Sequence, residues 1–187
     1  MKLLSTIAAA TIAASALGAA SAQQGTPPAT PPAAAAPAAK APEYVTIQME
    51  QDVAKPAADV WAKVGKDYCA LGKWIRAGGE IPCTVTKGAG EIGSVRSIAN
   101  GAVTEVLTAK TDLSYGYTQP AKEGKFYDLY HGFLEAKPTG ANSTKLIYTL
   151  MYDVSNLADQ AAKDADVKRR RDQFTAALAN MKALAEK

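Results

Sequence analysis

The chain predicts an α+β fold in which a curved antiparallel β-sheet is closed by one long C-terminal α-helix. Three observations lead there. From Ile81 onward, strand-like runs and turns alternate every eight to twelve residues, the rhythm of an antiparallel sheet. One helical pattern then ends the chain, grouping helix on one side of the strands. Six of the eight tyrosines (Tyr115, Tyr117, Tyr127, Tyr130, Tyr148 and Tyr152) fall on the later strands, as the wall of an apolar cavity would require.

The first elements precede the domain. Residues 1–22 read as a signal peptide: Lys2 gives a positive start, Leu3 to Leu17 is an apolar run, and Ala20-Ser21-Ala22 has the small-x-small form of a cleavage site. The run is short for a membrane span and carries Ser5, Thr6, Thr11 and Ser15, so no transmembrane segment is expected after signal removal. A periplasmic or secreted product follows. Residues 23–42, with eight alanines and six prolines, lack apolar periodicity and read as a disordered, polyproline-like linker. Residues 43–187 are the size of one domain with a single core. The formal charge of the whole chain is +3, and Lys2 leaves with the signal. That excess is too small to support nucleic-acid binding.

Within the domain, Tyr44 to Val53 alternates apolar and polar residues as a strand. Pro56 suits the first turn of a helix, and Val60, Trp61 and Val64 form its buried stripe. A second short helix is expected over Tyr68 to Trp74. Strands follow at Pro82–Lys87, Gly93–Ala99, Ala102–Lys110, Leu113–Thr118, Phe126–Lys137 and Lys145–Val154. Asn100-Gly101 is a two-residue hairpin signal, and Pro138-Thr139-Gly140 is expected in a turn. Asn156 is expected to cap the last helix, with Asp159 in its first turn. Val167, Phe174, Leu178 and Met181 recur at helical spacing.

The order of these elements resembles the helix-grip fold of the START-like (SRPBCC) superfamily, shared with the birch pollen allergen. Within it the chain is most similar to the polyketide cyclase/dehydrase and lipid-transport family. The residues that carry the likeness are Pro56 to Trp61, Trp74, Gly93-Ser94-Val95-Arg96, Gly101 to Leu107, Leu113-Ser114-Tyr115, Tyr130-His131-Gly132 and Leu146 to Tyr152. Tyr148 stands where relatives often carry Trp, and Pro120 to Lys125 lacks the usual proline before Tyr130. The resemblance implies a cavity between sheet and C-terminal helix that holds lipids, sterols, polyketides or other aromatic ligands. Some relatives are enzymes that use no cofactor.

Strand alternation sorts the candidate site. Leu146, Tyr148, Leu150 and Tyr152 share one face, Tyr130 and Gly132 share another with Asp128, and Tyr115 and Tyr117 lie together one strand earlier. Trp74, Tyr115, Tyr117, Tyr130, Tyr148 and Tyr152 are the expected ligand-binding wall, because a phenol offers both an apolar ring and a directional hydroxyl. A tyrosine-rich core without ligand is the other reading. Arg96 and Glu105 flank the Asn100-Gly101 turn and can pair across the hairpin as polar anchors inside the cavity, or as an exposed pair outside it.

No catalytic residue is assigned; Glu105, His131 and Tyr115 are the candidates for proton transfer. His131 is the only histidine and cannot build a zinc site alone, so neither a metal nor a cofactor is expected. Cys69 and Cys83, in the exported part, are expected to form a disulfide; a reactive thiol and a metal ligand are the alternatives. Gly88-Ala89-Gly90-Glu91-Ile92-Gly93 matches a dinucleotide fingerprint in letters, but a strand rather than a helix follows it. Lys168-Arg169-Arg170-Arg171 reads as a solvated helix surface, and Asn142-Ser143-Thr144 as a glycosylation acceptor in hosts that glycosylate. The function expected is binding of a hydrophobic small molecule. The rivals are a cofactor-independent cyclase, dehydratase or lyase of the same fold, and an envelope interaction module without ligand.

Overall fold

The computed structural model describes residues 41–76, 78–120 and 129–187. The signal expectation and nearly all of the linker expectation therefore lie outside the described residues, as do Tyr127, Asp128 and the start of the Phe126–Lys137 strand.

Seven strands form one antiparallel sheet. They are β1 (Tyr44–Val53), β2 (Cys83–Lys87), β3 (Val95–Ile98), β4 (Val103–Lys110), β5 (Ser114–Thr118), β6 (Tyr130–Gly140) and β7 (Ser143–Asp153), in the order β1-β7-β6-β5-β4-β3-β2. Each of β2 to β7 pairs with its neighbour in sequence, and β1 returns to pair with β7, Tyr44 opposite Asp153. Helix α1 (Ala57–Val64) and a 3-10 helix (Ala70–Lys73) lie between β1 and β2, and α2 (Gln160–Ala185) ends the chain. This is the helix-grip order that the sequence resembles.

The expected strands reappear with shifted ends. Pro138 extends β6 rather than turning it, because the irregularity in register at Pro138/Gly140 tolerates its missing N–H; the reversal falls at residues 141–142. Asn100 and Gly101 turn β3 into β4 with positive φ at both, 56° and 93°, and the Ala102 amide closes the turn on Ala99 O. The residues of the fingerprint-like glycine run join β2 to β3 with positive φ at Gly88, Gly90 and Gly93, and a strand follows.

Asn156 does not cap α2. The Asp153 carboxylate holds the Ser155 amide and hydroxyl and the Glu43 amide, while the Leu157 amide turns back to Val154 O. The helix consequently begins three residues later. Asp159 is the cap, accepting from the Ala162 amide at 2.8 Å.

Helix α2 buries Arg170, Phe174, Ala177, Leu178, Met181 and Ala185. Successive members stand one, three or four residues apart and hold one face of the helix against the sheet. Beyond that face, Arg171 and Lys182 donate to the carbonyls of Gln48 and Asp52, so the helix also covers the outer edge of β1. Cys69 and Cys83 are joined in a disulfide, with Cα atoms 5.4 Å apart, which ties the 3-10 helix to the start of β2. Among the described residues no helix is long and apolar enough to cross a membrane.

Candidate functional site

A cavity of about 370 Å³ opens between the sheet, α2 and the disulfide-bound segment. It lies toward the lower end of the range for small-molecule sites, roughly 300–1,000 Å³. One wall is apolar: Leu71 and Ile75 at the 3-10 helix, Ile81, and Ile98, Ala99 and Val103 around the β3–β4 turn. The other is polar and aromatic: Glu105, Tyr117, Gln119 and Tyr130 from the sheet, and Arg169, Arg170, Gln173 and Phe174 from α2.

Strand pairing places Arg96 directly opposite Glu105, and both side chains point inward. The Arg96 Nε and Nη2 groups donate to Glu105 Oε2 at 2.8 and 2.6 Å, and Nη1 donates to the Tyr68 carbonyl. The Gln119 amide donates to the second carboxylate oxygen at 3.1 Å. The guanidinium carbon lies 4.0 Å from the Tyr68 ring centre, 5.3 Å from that of Tyr117 and 5.4 Å from that of Tyr115. Burial disfavours the Arg96 charge, but Tyr115 and Glu105 outweigh it and hold its pKa above the ordinary value. Glu105 faces the cavity, and Arg96 stands behind it.

The remaining predicted wall residues divide in two. Tyr117 and Tyr130 line the cavity together with Glu105. Trp74, Tyr115, Tyr148 and Tyr152, like Arg96, are buried beside it without lining it, because they pack on neighbouring rings of the core or on α2. Tyr148 lies 4.6 Å from Phe174 and 6.5 Å from Trp74, centre to centre, and its hydroxyl bonds that of Tyr117 at 2.7 Å. Trp74 donates its indole N–H to Val64 O. Tyr115 packs against Trp61 and Tyr68. Four of the six aromatic residues are thus core, and the open space is confined to one end of the sheet. Burial pushes the Tyr68, Tyr115, Tyr117 and Tyr148 phenols above their usual range and raises Tyr152 to about 12.

His131 faces the other side of the sheet. Its neighbours Tyr130 and Gly132 point inward, and alternation sends the imidazole to the outer face. Among the described residues no group of three or more His, Cys, Asp or Glu side chains could hold a metal ion.

The sequence reading missed most of the lining, and two of its polar members show why. Gln119 lies just past the end of β5, where the alternation rule stops. Arg170 belongs to the basic run that reads as solvated, yet it is 7% exposed. Its helical register with Phe174 and Met181 turns it inward, over Tyr152 at 4.4 Å and Tyr130 at 5.0 Å. Asp166, one turn earlier, accepts from Arg170 Nε at 2.8 Å and from Arg169. An acid four residues before one of the arginines was the available signal. Lys168 and Arg171 do lie on the exposed side of the helix.

A family model described as polyketide cyclase / dehydrase and lipid transport matches residues 44–186. The chain belongs to that family. The match spans every element that builds the cavity, from β1 to the end of α2. Solved structures share the fold at low identity. A solution structure from Thermobifida fusca is 22% identical over 73% of this chain and 90% of its own, with a TM-score of 0.59. The protein XoxI from Bacillus cereus is 17% identical over 74% and 93%, with a TM-score of 0.59. The crystal structure of Ara h 8.0201 is 18% identical over 74% and 98%, with a TM-score of 0.54. No curated protein matches the chain. For this family fold, a curved sheet gripping one long helix, hydrophobic ligand binding is the coarse function supported.

Proposed function

We propose that the protein is an exported carrier that holds a hydrophobic, ring-containing small molecule between the sheet and α2. Residues 1–22 act as a cleaved signal, residues 23–42 as a linker and residues 43–187 as the binding domain. The cavity carries the reading, with its apolar wall of Leu71, Ile75, Ile81, Ile98 and Val103 facing a few buried polar groups. That composition suits a ligand with an apolar body and a small polar part.

Binding is favoured over catalysis by where the proton-transfer candidates stand. Glu105 is committed to a buried ion pair with Arg96, His131 lies across the sheet, and Tyr115 is packed behind the wall with a raised pKa. Proton transfer needs a group within reach of the substrate and matched to neutral pH. His131 and Tyr115 stand away from the cavity, and Glu105 is held by Arg96.

Native mass spectrometry of the protein purified from its own host is the test. A co-purifying hydrophobic molecule, displaced when Phe174 or Tyr130 is altered, is expected. Protein that is empty, and that no aromatic or lipid compound stabilises, would overturn the reading.

A further inference from the structure

We propose that the polar end of the cavity selects an apolar molecule bearing a hydrogen-bond donor, an alcohol or phenol, and rejects the carboxylate of the same skeleton. The inference rests on the binding role above and names the chemistry that role would select.

Glu105 is 3% exposed and lines the cavity. Arg96, fully buried behind it, places two N–H groups on Oε2 in a buried ion pair, the fork of a guanidinium matching a carboxylate. An ionised carboxylate only accepts hydrogen bonds and offers about four lone-pair sites. Two are taken by Arg96 and one, on Oε1, by Gln119. Oε1 is the oxygen that Arg96 does not bind; it faces a second cavity-lining residue and, among the described residues, keeps an acceptor site.

A ligand hydroxyl placed there gains a charge-assisted bond. A hydrocarbon gains none, and a ligand carboxylate meets a like charge in a poorly screened interior. Arg96 does not relieve that repulsion, since Tyr68, Tyr115 and Tyr117 pack around it and Glu105 stands between it and the cavity, while the two arginines of the lining, Arg169 and Arg170, are held by Asp166. Discrimination therefore arises from an unfavourable contact as much as from a favourable one.

Three probes of one size decide the matter: a naphthol, the corresponding methylnaphthalene and the corresponding naphthoate, titrated against the intact mature protein by calorimetry. The naphthol should bind about 10- to 100-fold more tightly than the methylnaphthalene, the gain of one hydrogen bond to a charged acceptor, with the naphthoate weakest. In Arg96→Met/Glu105→Met, which removes both charges together, naphthol and methylnaphthalene should bind alike. Gln119→Leu leaves the ion pair in place and should keep the preference for naphthol. Naphthoate binding as tightly as naphthol, or a preference that survives the double substitution, overturns the proposal. Equal binding of naphthol and methylnaphthalene by the native protein overturns donor selection and leaves the hydrophobic carrier standing. If neither these nor any other apolar compound binds, both fall.

Discussion

Tyr117 on β5 lies opposite Gly132 on β6, and its phenol ring occupies the space that a Cβ at Gly132 would need. The glycine lets the ring lie against the sheet, from where its hydroxyl reaches Tyr148 at 2.7 Å. Gly132→Ala should lift the ring toward the cavity and break that bond. The expected cost is about 1–3 kcal/mol, as for other overpacked cores, with weaker binding of any cavity ligand. Urea unfolding and ligand titration measure the two effects. A variant as stable as the parent would show that the ring has room to spare.

The Arg96–Glu105 pair makes a second prediction. Removing one partner leaves a buried charge unmatched, so Arg96→Met or Glu105→Met alone should lose about 3–5 kcal/mol. Replacing both with methionine should cost much less than the sum of the two. A double-mutant cycle reads the coupling directly. Additive losses would mean that water reaches the pair, contrary to its burial.

The disulfide closes a segment that carries Leu71, Ile75 and Ile81, three residues of the apolar cavity wall. Opening a loop of this length should cost about 3 kcal/mol in the chain-entropy model. Cys69→Ser/Cys83→Ser should therefore unfold at lower urea and release bound ligand faster. Unchanged ligand off-rates would show that the wall is held by the core alone.

Stability should also fall at alkaline pH. Tyr152 has a folded pKa of about 12, raised first by burial and then by Asp166, against about 10 in an unfolded chain. The folded state retains the proton longer, so the stabilisation is full below pH 10 and is lost as pH rises toward 12. Tyr68, Tyr115, Tyr117 and Tyr148 shift in the same direction through burial. Urea unfolding followed across pH 9–12 with tyrosinate absorbance tests this, and Tyr152→Phe should soften the loss. Phenols that ionise near pH 10 before any unfolding would refute it.

How much of this was legible in the sequence depends on which physical rule governs each residue. The inward set Tyr130, Tyr148 and Tyr152 was readable because a strand repeats every two residues, and the whole sheet constrains the face. The face of Arg96 and Glu105 was not settled by spacing, since a hairpin pair is equally consistent with either side; only the packing of Tyr68 and Gln119 decides it. Alternation also names a face without saying whether space remains there. Tyr148 and Tyr152 meet α2 and become core, whereas Tyr117 and Tyr130 border the gap. The start of α2 was misplaced because Asp153, not Asn156, governs the turn before it, through contacts with Glu43 that lie far apart in sequence.

Arg170 offers the sharpest test of how the cavity wall is built. Its guanidinium carbon stands close over the Tyr152 and Tyr130 rings and its Nε donates to Asp166, so charge, ring contact and hydrogen bonding are all engaged. Burial works against its charge, yet Tyr130 and Asp166 hold its pKa above the ordinary value. If charge were the whole contribution, Arg170→Lys would behave as the parent. A lysine, however, is a strongly hydrated point charge that cannot lie flat on a ring or keep the forked geometry. Part of the cation–π attraction and of the bond to Asp166 should be lost, about 1–2 kcal/mol together. Asp166 retains Arg169 and so is not stranded. Arg170→Lys should consequently be destabilised and bind ligand more weakly, with Tyr152→Phe in the same background adding little. Full stability and affinity in Arg170→Lys would reduce the residue to a simple surface charge.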